Sequence, residues 1–158
     1  GSGLESNRII VAGTPDDTPE NGWLQGYEFA YYDDGFVELI KRTEGSVAAI
    51  LCSGFYQDAV NEYDWNKVTF WKNYPYLTVW VNETLLCDVN ISTDLDAYMG
   101  GFVGIMEHGI PDSTFFVDKA RVWLSPDWPY AVEFVDGVRT EVGVPAEGAQ
   151  PRIDGAMP

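Results

Sequence analysis

The sequence has little positive charge and little of the chemistry that metal and nucleophilic enzymes use. Nine Lys and Arg residues stand against 25 Asp and Glu residues, which gives a formal net charge of −16 at pH 7. Nucleic acids and anionic lipids are recognised through basic patches, so this charge disfavours both as partners. His108 is the only histidine, so neither a zinc site with histidine ligands nor a histidine-based catalytic triad is expected. The charge suits a cation or a neutral glycan as ligand, and it also serves solubility.

Long apolar runs and helical periodicity are missing too. No run approaches the roughly 20 apolar residues of a transmembrane helix, so no membrane insertion is expected. No segment repeats its apolar residues with a period of 3.6. The chain instead consists of short alternating segments separated by Gly, Asp and Asn, which is typical of strands and turns. With 46% hydrophobic residues, this pattern predicts an all-β protein built as a two-sheet antiparallel β-sandwich.

Cysteine is scarce, with only Cys52 and Cys87 present. Two cysteines permit one disulfide, but a chain of 158 residues does not require one for stability. The sequence does not establish the geometry that a bridge needs, so their pairing stays open.

The segment KVTFWKNYPYLTVWV, residues 67–81, is predicted to be a hairpin that turns at Asn73 and Tyr74. In that register Trp71 lies opposite Tyr76, while the apolar residues of both strands point into the protein. Trp71, Tyr76 and Trp80 then share the face on which a half-solvated sheet usually carries polar side chains. We expect these three aromatic residues to bind a glycan by stacking, with neighbouring amides and carboxylates bonding its hydroxyls. A C-terminal extension or a neighbouring subunit could also cover this face.

Later segments complete the predicted sheets. Leu85 to Val89 is expected to be a strand with Leu85, Cys87 and Val89 pointing inward. Phe102–Met106 and Phe115–Leu124 are predicted strands. A last hairpin, Tyr130–Val142, is expected to turn at Asp136-Gly137, a strong type I′ signal.

The order of several segments carries a resemblance to a known superfamily. They are YEFAYYDDGFVELIK (27–41), WNKVT (65–69), LTVWVN (77–82), GGFVGI (100–105) and FFVDKARVW (115–123). Together they resemble the concanavalin A-like lectin/glucanase superfamily, especially its laminin-G-like modules and the jelly rolls associated with sugar hydrolases. The resemblance implies a jelly roll whose relatives mostly bind glycans or cell-surface partners, while some cleave polysaccharides.

The resemblance also suggests a domain plan and two departures from it. Residues 23–124 form the sandwich, preceded by an N-terminal segment, 1–22, and followed by a hairpin and a Pro/Gly-rich tail, 125–158. Only Asn7–Ala12 is available as a first strand, which is short for these modules, and the C-terminal part exceeds their usual ending. Because an open sheet edge must be covered, strand or tail exchange with a neighbour is an alternative expectation.

Calcium is the cofactor that the sequence favours. The resemblance implies that Asp118, in FVDKARV, helps to ligate a structural calcium, and Asp16 or Asp17 could supply a second ligand. Asp118 shares the parity of Ala120 and Val122, so it would face the interior, where an unpaired carboxylate is costly.

A second candidate calcium loop alternates oxygen-bearing side chains, as a hard-cation site requires. These are Asp88, Asn90, Ser92, Asp94 and Asp96. The loop lacks the glycine and the closing glutamate of an EF-hand. An ordinary polar loop between two strands is the competing interpretation.

Catalysis is not expected. Polysaccharide cleavage requires two carboxylates facing each other across a groove, and the alternating E-x-D-x-E strand of the superfamily's glucanases is missing here. Asp34 and Glu38 share one segment, but their placement is ordinary for a hairpin. We therefore predict a non-catalytic extracellular or cell-surface module that binds glycan or a cell-surface protein. A structural subunit of an extracellular filament or layer is the alternative, and a polysaccharide-active enzyme is the third.

Overall fold

The computed structural model describes residues 6–15, 22–61, 64–108, 117, 119–123, 130–135 and 138–143. Within these residues the secondary structure consists of strands and turns and contains no helix, so the all-β prediction is confirmed. No helix that could cross a membrane is therefore found in the described ranges. The chain divides into two compact units, Gly1–Ser113 and Thr114–Pro158.

The strands of the first unit form two antiparallel sheets. They are β1 (Ser6–Pro15), β2 (Trp23–Tyr32), β3 (Phe36–Thr43), β4 (Ser46–Phe55), β5 (Val68–Asn73), β6 (Tyr76–Val81), β7 (Thr84–Asn90) and β8 (Phe102–His108). The larger sheet has the order β4-β3-β2-β1-β8, and the smaller has the order β5-β6-β7. Each sheet is thus a meander of consecutive strands, and β8 returns to the first sheet to lie beside β1.

The two sheets share one hydrophobic core. Tyr27, Phe29 and Leu39 of the larger sheet and Leu77 and Val79 of the smaller sheet belong to the same cluster, and each is 0% exposed. Burial of a side chain of this size contributes about 1.5–3 kcal/mol. The predicted two-sheet antiparallel sandwich is confirmed by this shared core.

The first strand is longer than the sequence suggested. β1 spans Ser6–Pro15 rather than Asn7–Ala12, and it pairs with β2 on one side and β8 on the other. Both of its backbone edges are therefore satisfied within the chain. The premise of a truncated first strand, available to complete a neighbour's sheet, is wrong.

A disulfide joins the two sheets. Cys52 on β4 and Cys87 on β7 are bonded, with their Cα atoms 6.0 Å apart. The described residues include no free cysteine. The pairing that the sequence left open is thus resolved in favour of a bridge across the core.

The second unit contains three described strands, β9 (Lys119–Trp123), β10 (Tyr130–Val135) and β11 (Val138–Gly143), in the order β11-β10-β9. Val135 pairs with Val138, so the C-terminal hairpin is confirmed with its two-residue connection at the predicted position. β9 pairs with β10, and the division between units falls after Ser113 rather than after residue 124. The tail beyond Gly143 lies outside the described residues.

The register of the β5–β6 hairpin differs from the prediction by two residues. Asn73 pairs with Tyr76, so the turn is Tyr74-Pro75, and the peptide between these two residues is cis. Trp71 lies opposite Thr78 rather than Tyr76. A shift of two residues leaves every side chain on its original face, so the hydrophobic pattern could not detect it.

A bulge in β7 corrects the predicted orientation of Leu85. Val79 pairs with Cys87 but Trp80 pairs with Leu85, which leaves Leu86 as an extra residue in β7. Leu86 is 6% exposed and belongs to the core, while Leu85 is 48% exposed. A bulge shifts the alternation by one residue, so the inward assignment of Leu85 was wrong.

Candidate functional site

The outer face of the smaller sheet, which points away from the core cluster, carries a mixed aromatic and polar surface. Two rows cross all three strands at the end nearest the β5–β6 turn. The rows are Trp71–Thr78–Asp88 and Asn73–Tyr76–Asn90. We call these six residues the outer patch. Strand spacing makes it about 10 Å wide and about 7 Å long, comparable with a short oligosaccharide.

The outer patch contains a carboxylate, that of Asp88, whose orientation is fixed by a hydrogen bond. Thr78 is 1% exposed and its hydroxyl donates a hydrogen bond to Oδ1 of Asp88 over 3.1 Å. Asp88 itself is exposed. In the part of the chain that the structure describes, no other donor bonds this carboxylate, so Oδ2 is open to a ligand. The buried threonine thus fixes the direction of a solvent-accessible acceptor.

The side chains around Asp88 also have hydrogen-bonding groups that a ligand could use. Tyr76 is 38% exposed, Trp71 is half-buried, and Asn73 and Asn90 are exposed. The Oδ1 atom of Asn90 accepts a hydrogen bond from the Ser92 backbone N–H, which fixes the amide and leaves its NH₂ group outward. Within the described ranges, the Asn73 amide, the Tyr76 hydroxyl and the Trp71 indole N–H have no protein partner. The outer patch therefore combines ring faces with unused donors and acceptors, the composition expected of an oriented binding site.

Trp80 does not belong to this accessible surface. It points outward on the central strand β6 but is only 3% exposed. Its row neighbours are Thr69 on β5 and Leu85 on β7. The expectation that Trp71, Tyr76 and Trp80 are all open to a ligand is therefore wrong for Trp80. Alternation assigns a side chain to a face but does not tell what else packs on that face.

The outer patch carries no positive charge. Lys72 alternates to the core side of β5 and donates a hydrogen bond to the Met99 carbonyl over 3.0 Å. Burial lowers the pKa of its ammonium group. Lys67 is exposed and precedes β5, about 13 Å along the strand from Trp71. Asp88 is thus the charge that dominates the patch.

In the second candidate calcium loop, the carboxylate of Asp94 is bonded within the protein. Both oxygens of Asp94 accept hydrogen bonds from Lys41 Nζ over 2.7 Å, and Oδ1 also accepts the Asp96 backbone N–H. Lys41 further donates to the Asp96 carbonyl over 3.1 Å. No group of three or more His, Cys, Asp or Glu side chains is arranged to hold a metal in the described residues. The ammonium group of Lys41 thus binds Asp94 where a calcium ion would otherwise bind it.

The other predicted calcium ligands, Asp16, Asp17 and Asp118, lie outside the described residues. The calcium site that combines them stays a prediction.

A buried ionic cluster lies on the outer face of the larger sheet. Glu28 is 0% exposed, and its two carboxylate oxygens accept hydrogen bonds from Arg8 and Arg42. The pKa of Arg42 is raised, chiefly by its bond to Glu28. On the same face, Glu38 accepts the Tyr32 hydroxyl over 2.8 Å. Glu28 is completely buried and bonded to two guanidinium groups, so a substrate does not reach it, and Glu28 with Glu38 is not the open carboxylate pair that glycoside cleavage requires.

Sequence reasoning missed Asn73 as a site residue and placed Asp88 and Asn90 in a cation loop. The alternation in the segment C-D-V-N, residues 87–90, could have revealed them, because Asp88 and Asn90 share one face of β7. Their proximity to Trp71 and Tyr76 depends on the register of both hairpins, which the sequence did not determine.

Comparison with known proteins gives no matching family model and no match among curated proteins. Among solved structures, the chain is similar to the carbohydrate-binding module CBM66 from Bacillus subtilis, with 12% sequence identity and a TM-score of 0.45. The similarity covers 68% of this chain and 57% of that one.

Proposed function

We propose that this protein is a non-catalytic module that binds a glycan through the outer patch. The observation that carries the proposal is the row Trp71–Thr78–Asp88, in which a ring face and a held, exposed carboxylate lie on one sheet. Tyr76, in the adjacent row, adds a second ring and is 38% exposed. Sugars present apolar CH faces and polar hydroxyls together, and this arrangement offers a complement to both.

An extracellular or cell-surface location accompanies the proposal. The bridge between Cys52 and Cys87 supports it, because disulfides persist mainly in oxidising compartments. The concanavalin A-like relationship is consistent with the two-sheet sandwich and remains part of the proposal.

The test is binding to soluble polysaccharides, measured by affinity electrophoresis and titration calorimetry. Trp71→Ala and Tyr76→Ala should each weaken binding by about 2 kcal/mol, as is usual for aromatic anchors. Phe55→Ala is the matched control, because Phe55 is 66% exposed but lies on β4 of the larger sheet. Binding that survives both patch substitutions, or that is lost equally in the control, would contradict the proposal.

Self-assembly is the second candidate, and one observation supports it. In the described residues β4 and β8 each pair with a single strand, and they expose apolar side chains such as Ile50, Phe55 and Phe102, at 64%, 66% and 65%. Outer strands of this kind are sites where a second chain can add. Sedimentation velocity over a wide concentration range tests the idea, and a strict monomer at the highest concentration would exclude it.

A further inference from the structure

The outer patch holds acceptors and neutral donors but no cation. Asp88 supplies an open carboxylate oxygen, while Asn73, Tyr76 and Asn90 supply an amide, a hydroxyl and a second amide. The nearby lysines do not compensate for the charge, because Lys72 is directed to the Met99 carbonyl and Lys67 lies outside the two rows. A bound molecule therefore meets one fixed negative charge.

This charge has different consequences for neutral and acidic sugars. A carboxylate accepts hydrogen bonds from hydroxyls, and bonds to a charged acceptor are stronger than neutral ones. A uronate or sulfate group in the same position would face Asp88 without a basic residue between them, in a protein of net charge −16. Two like charges in contact repel each other, and no positive charge in the outer patch offsets this repulsion.

From this arrangement, and resting on the glycan-binding function proposed above, we propose that Asp88 is the specificity-determining residue of the outer patch. Asp88 selects neutral glycans by accepting hydrogen bonds from their hydroxyls and rejects acidic ones by repulsion. Thr78 is a positioning residue, because its buried hydroxyl holds Oδ1 and leaves Oδ2 directed at the ligand.

The experiment measures retention on two sets of polysaccharides. Laminarin, galactomannan, arabinoxylan and inulin are the neutral probes, and polygalacturonate and alginate are the acidic ones. The wild-type chain should bind at least one neutral probe and neither acidic probe. Asp88→Asn should weaken neutral binding about tenfold or more, the loss expected for one bond to a charged group, and should permit measurable retention by an acidic probe. Asp58→Asn, which removes an exposed carboxylate from the turn after β4, should change neither result.

The role of Thr78 has its own test. Thr78→Val removes the hydroxyl at nearly constant volume and should lower neutral binding about threefold to tenfold, whereas Thr78→Ser should restore it. Equal melting temperatures of the variants show that the fold is intact. Asp88→Ser, which also lacks the charge at an exposed position, replaces Asp88→Asn if that variant does not fold, and unchanged neutral binding by a folded Thr78→Val would show that Thr78 has no positioning role.

The outcomes separate this inference from the function on which it rests. If the wild-type chain binds acidic probes as tightly as neutral ones, or if Asp88→Asn leaves neutral binding unchanged, the inference fails while glycan binding stands. If the wild-type chain binds none of the probes and Trp71→Ala has no effect in a wider glycan screen, the proposed function fails with it.

Discussion

Lys41 and Asp94 connect the larger sheet to the loop that follows β7. Lys41 Nζ lies 2.7 Å from each carboxylate oxygen of Asp94, and it also lies 5.0 Å from the ring centroid of Tyr98. The side chains of the pair are 11% and 23% exposed. The ion pair therefore fastens a polar loop to the sandwich in a largely desolvated place.

Removal of this lysine should destabilise the protein. Lys41→Met leaves Asp94 without its partner and should lower the free energy of unfolding by about 2 kcal/mol, between the values for exposed and fully buried pairs. Lys67→Met, at an exposed lysine, is the control and should change it by less than about 0.5 kcal/mol. Urea unfolding measures both. Equal effects of the two substitutions would show that the ion pair contributes nothing specific.

Substitution of Trp80 by alanine should affect mainly stability, whereas the same substitution of Trp71 should affect mainly glycan binding. Trp80 is 3% exposed, so Trp80→Ala should cost about 3–5 kcal/mol of stability, as for other buried aromatics. Trp71 is half-buried and lies in the outer patch, so Trp71→Ala should cost less than half as much while weakening glycan binding. Chemical denaturation of both variants decides, and comparable destabilisation would argue against an accessible Trp71.

The disulfide should contribute strongly to stability. Cys52 and Cys87 are 35 residues apart, and closure of a loop of that size is worth about 3–4 kcal/mol on the chain-entropy model. The free energy of unfolding of the Cys52→Ala/Cys87→Ala double variant, measured with guanidinium, should be lower than that of the wild type by this amount. A reductant should lower the stability of the wild-type chain but not that of the double variant. A double variant as stable as the oxidised wild type would refute the estimate.

Stability should fall at high pH because of Tyr27. This residue is 0% exposed, and burial, reinforced by the charge of Asp94, raises the pKa of its hydroxyl to about 12. The unfolded chain releases this proton near pH 10, so between about pH 10 and 12 it binds fewer protons than the folded chain. The stabilising contribution is complete below pH 10 and declines above it by at most about 1.4 kcal/mol per pH unit.

Substitution of Tyr27 checks this titration. Tyr27→Phe should flatten the decline relative to the wild type, while lowering stability at all pH values because the Tyr98 backbone N–H loses its acceptor. Tyr74→Phe, in the exposed β5–β6 turn, is the control. An identical pH slope for wild type and Tyr27→Phe would rule out this residue as the cause.

The calcium prediction has a direct thermal test. If Asp118 with Asp16 or Asp17 binds calcium in the folded state only, excess calcium should raise the melting temperature by mass action. Asp118→Asn should abolish the rise. Asp94→Asn should lower the melting temperature but preserve the rise, because Asp94 is bonded to Lys41. Superimposable melting curves with calcium and with chelator would remove the site.

The sequence was sufficient for the fold class but not for the register. Alternation placed Leu77 and Val79 correctly in the core and Phe70 correctly against it, because each contributes apolar area to a fixed face. It could not distinguish pairings two residues apart in the β5–β6 hairpin, where both registers satisfy the same pattern.

The candidate site was predictable only in part for related reasons. Trp71 and Tyr76 follow from their face, but alternation alone does not predict that Trp80 is only 3% exposed. The extra Leu86 in β7 inverted the orientation of Leu85, and no local signal marks that bulge. The bond between Thr78 and Asp88 could not be predicted, because it requires the pairing of β6 and β7 to be known.

The bridge between Cys52 and Cys87 also determines how the chain would respond to a protease. The connection between β4 and β5 lies inside the loop that the bridge closes, and it exposes residues such as Asp58 and Trp65. A single cut there would leave two fragments that stay joined by the disulfide and by the packing of the two sheets against each other. The nicked molecule would migrate as one band without reductant and as two bands with it, so cleavage at this exposed place need not release either half.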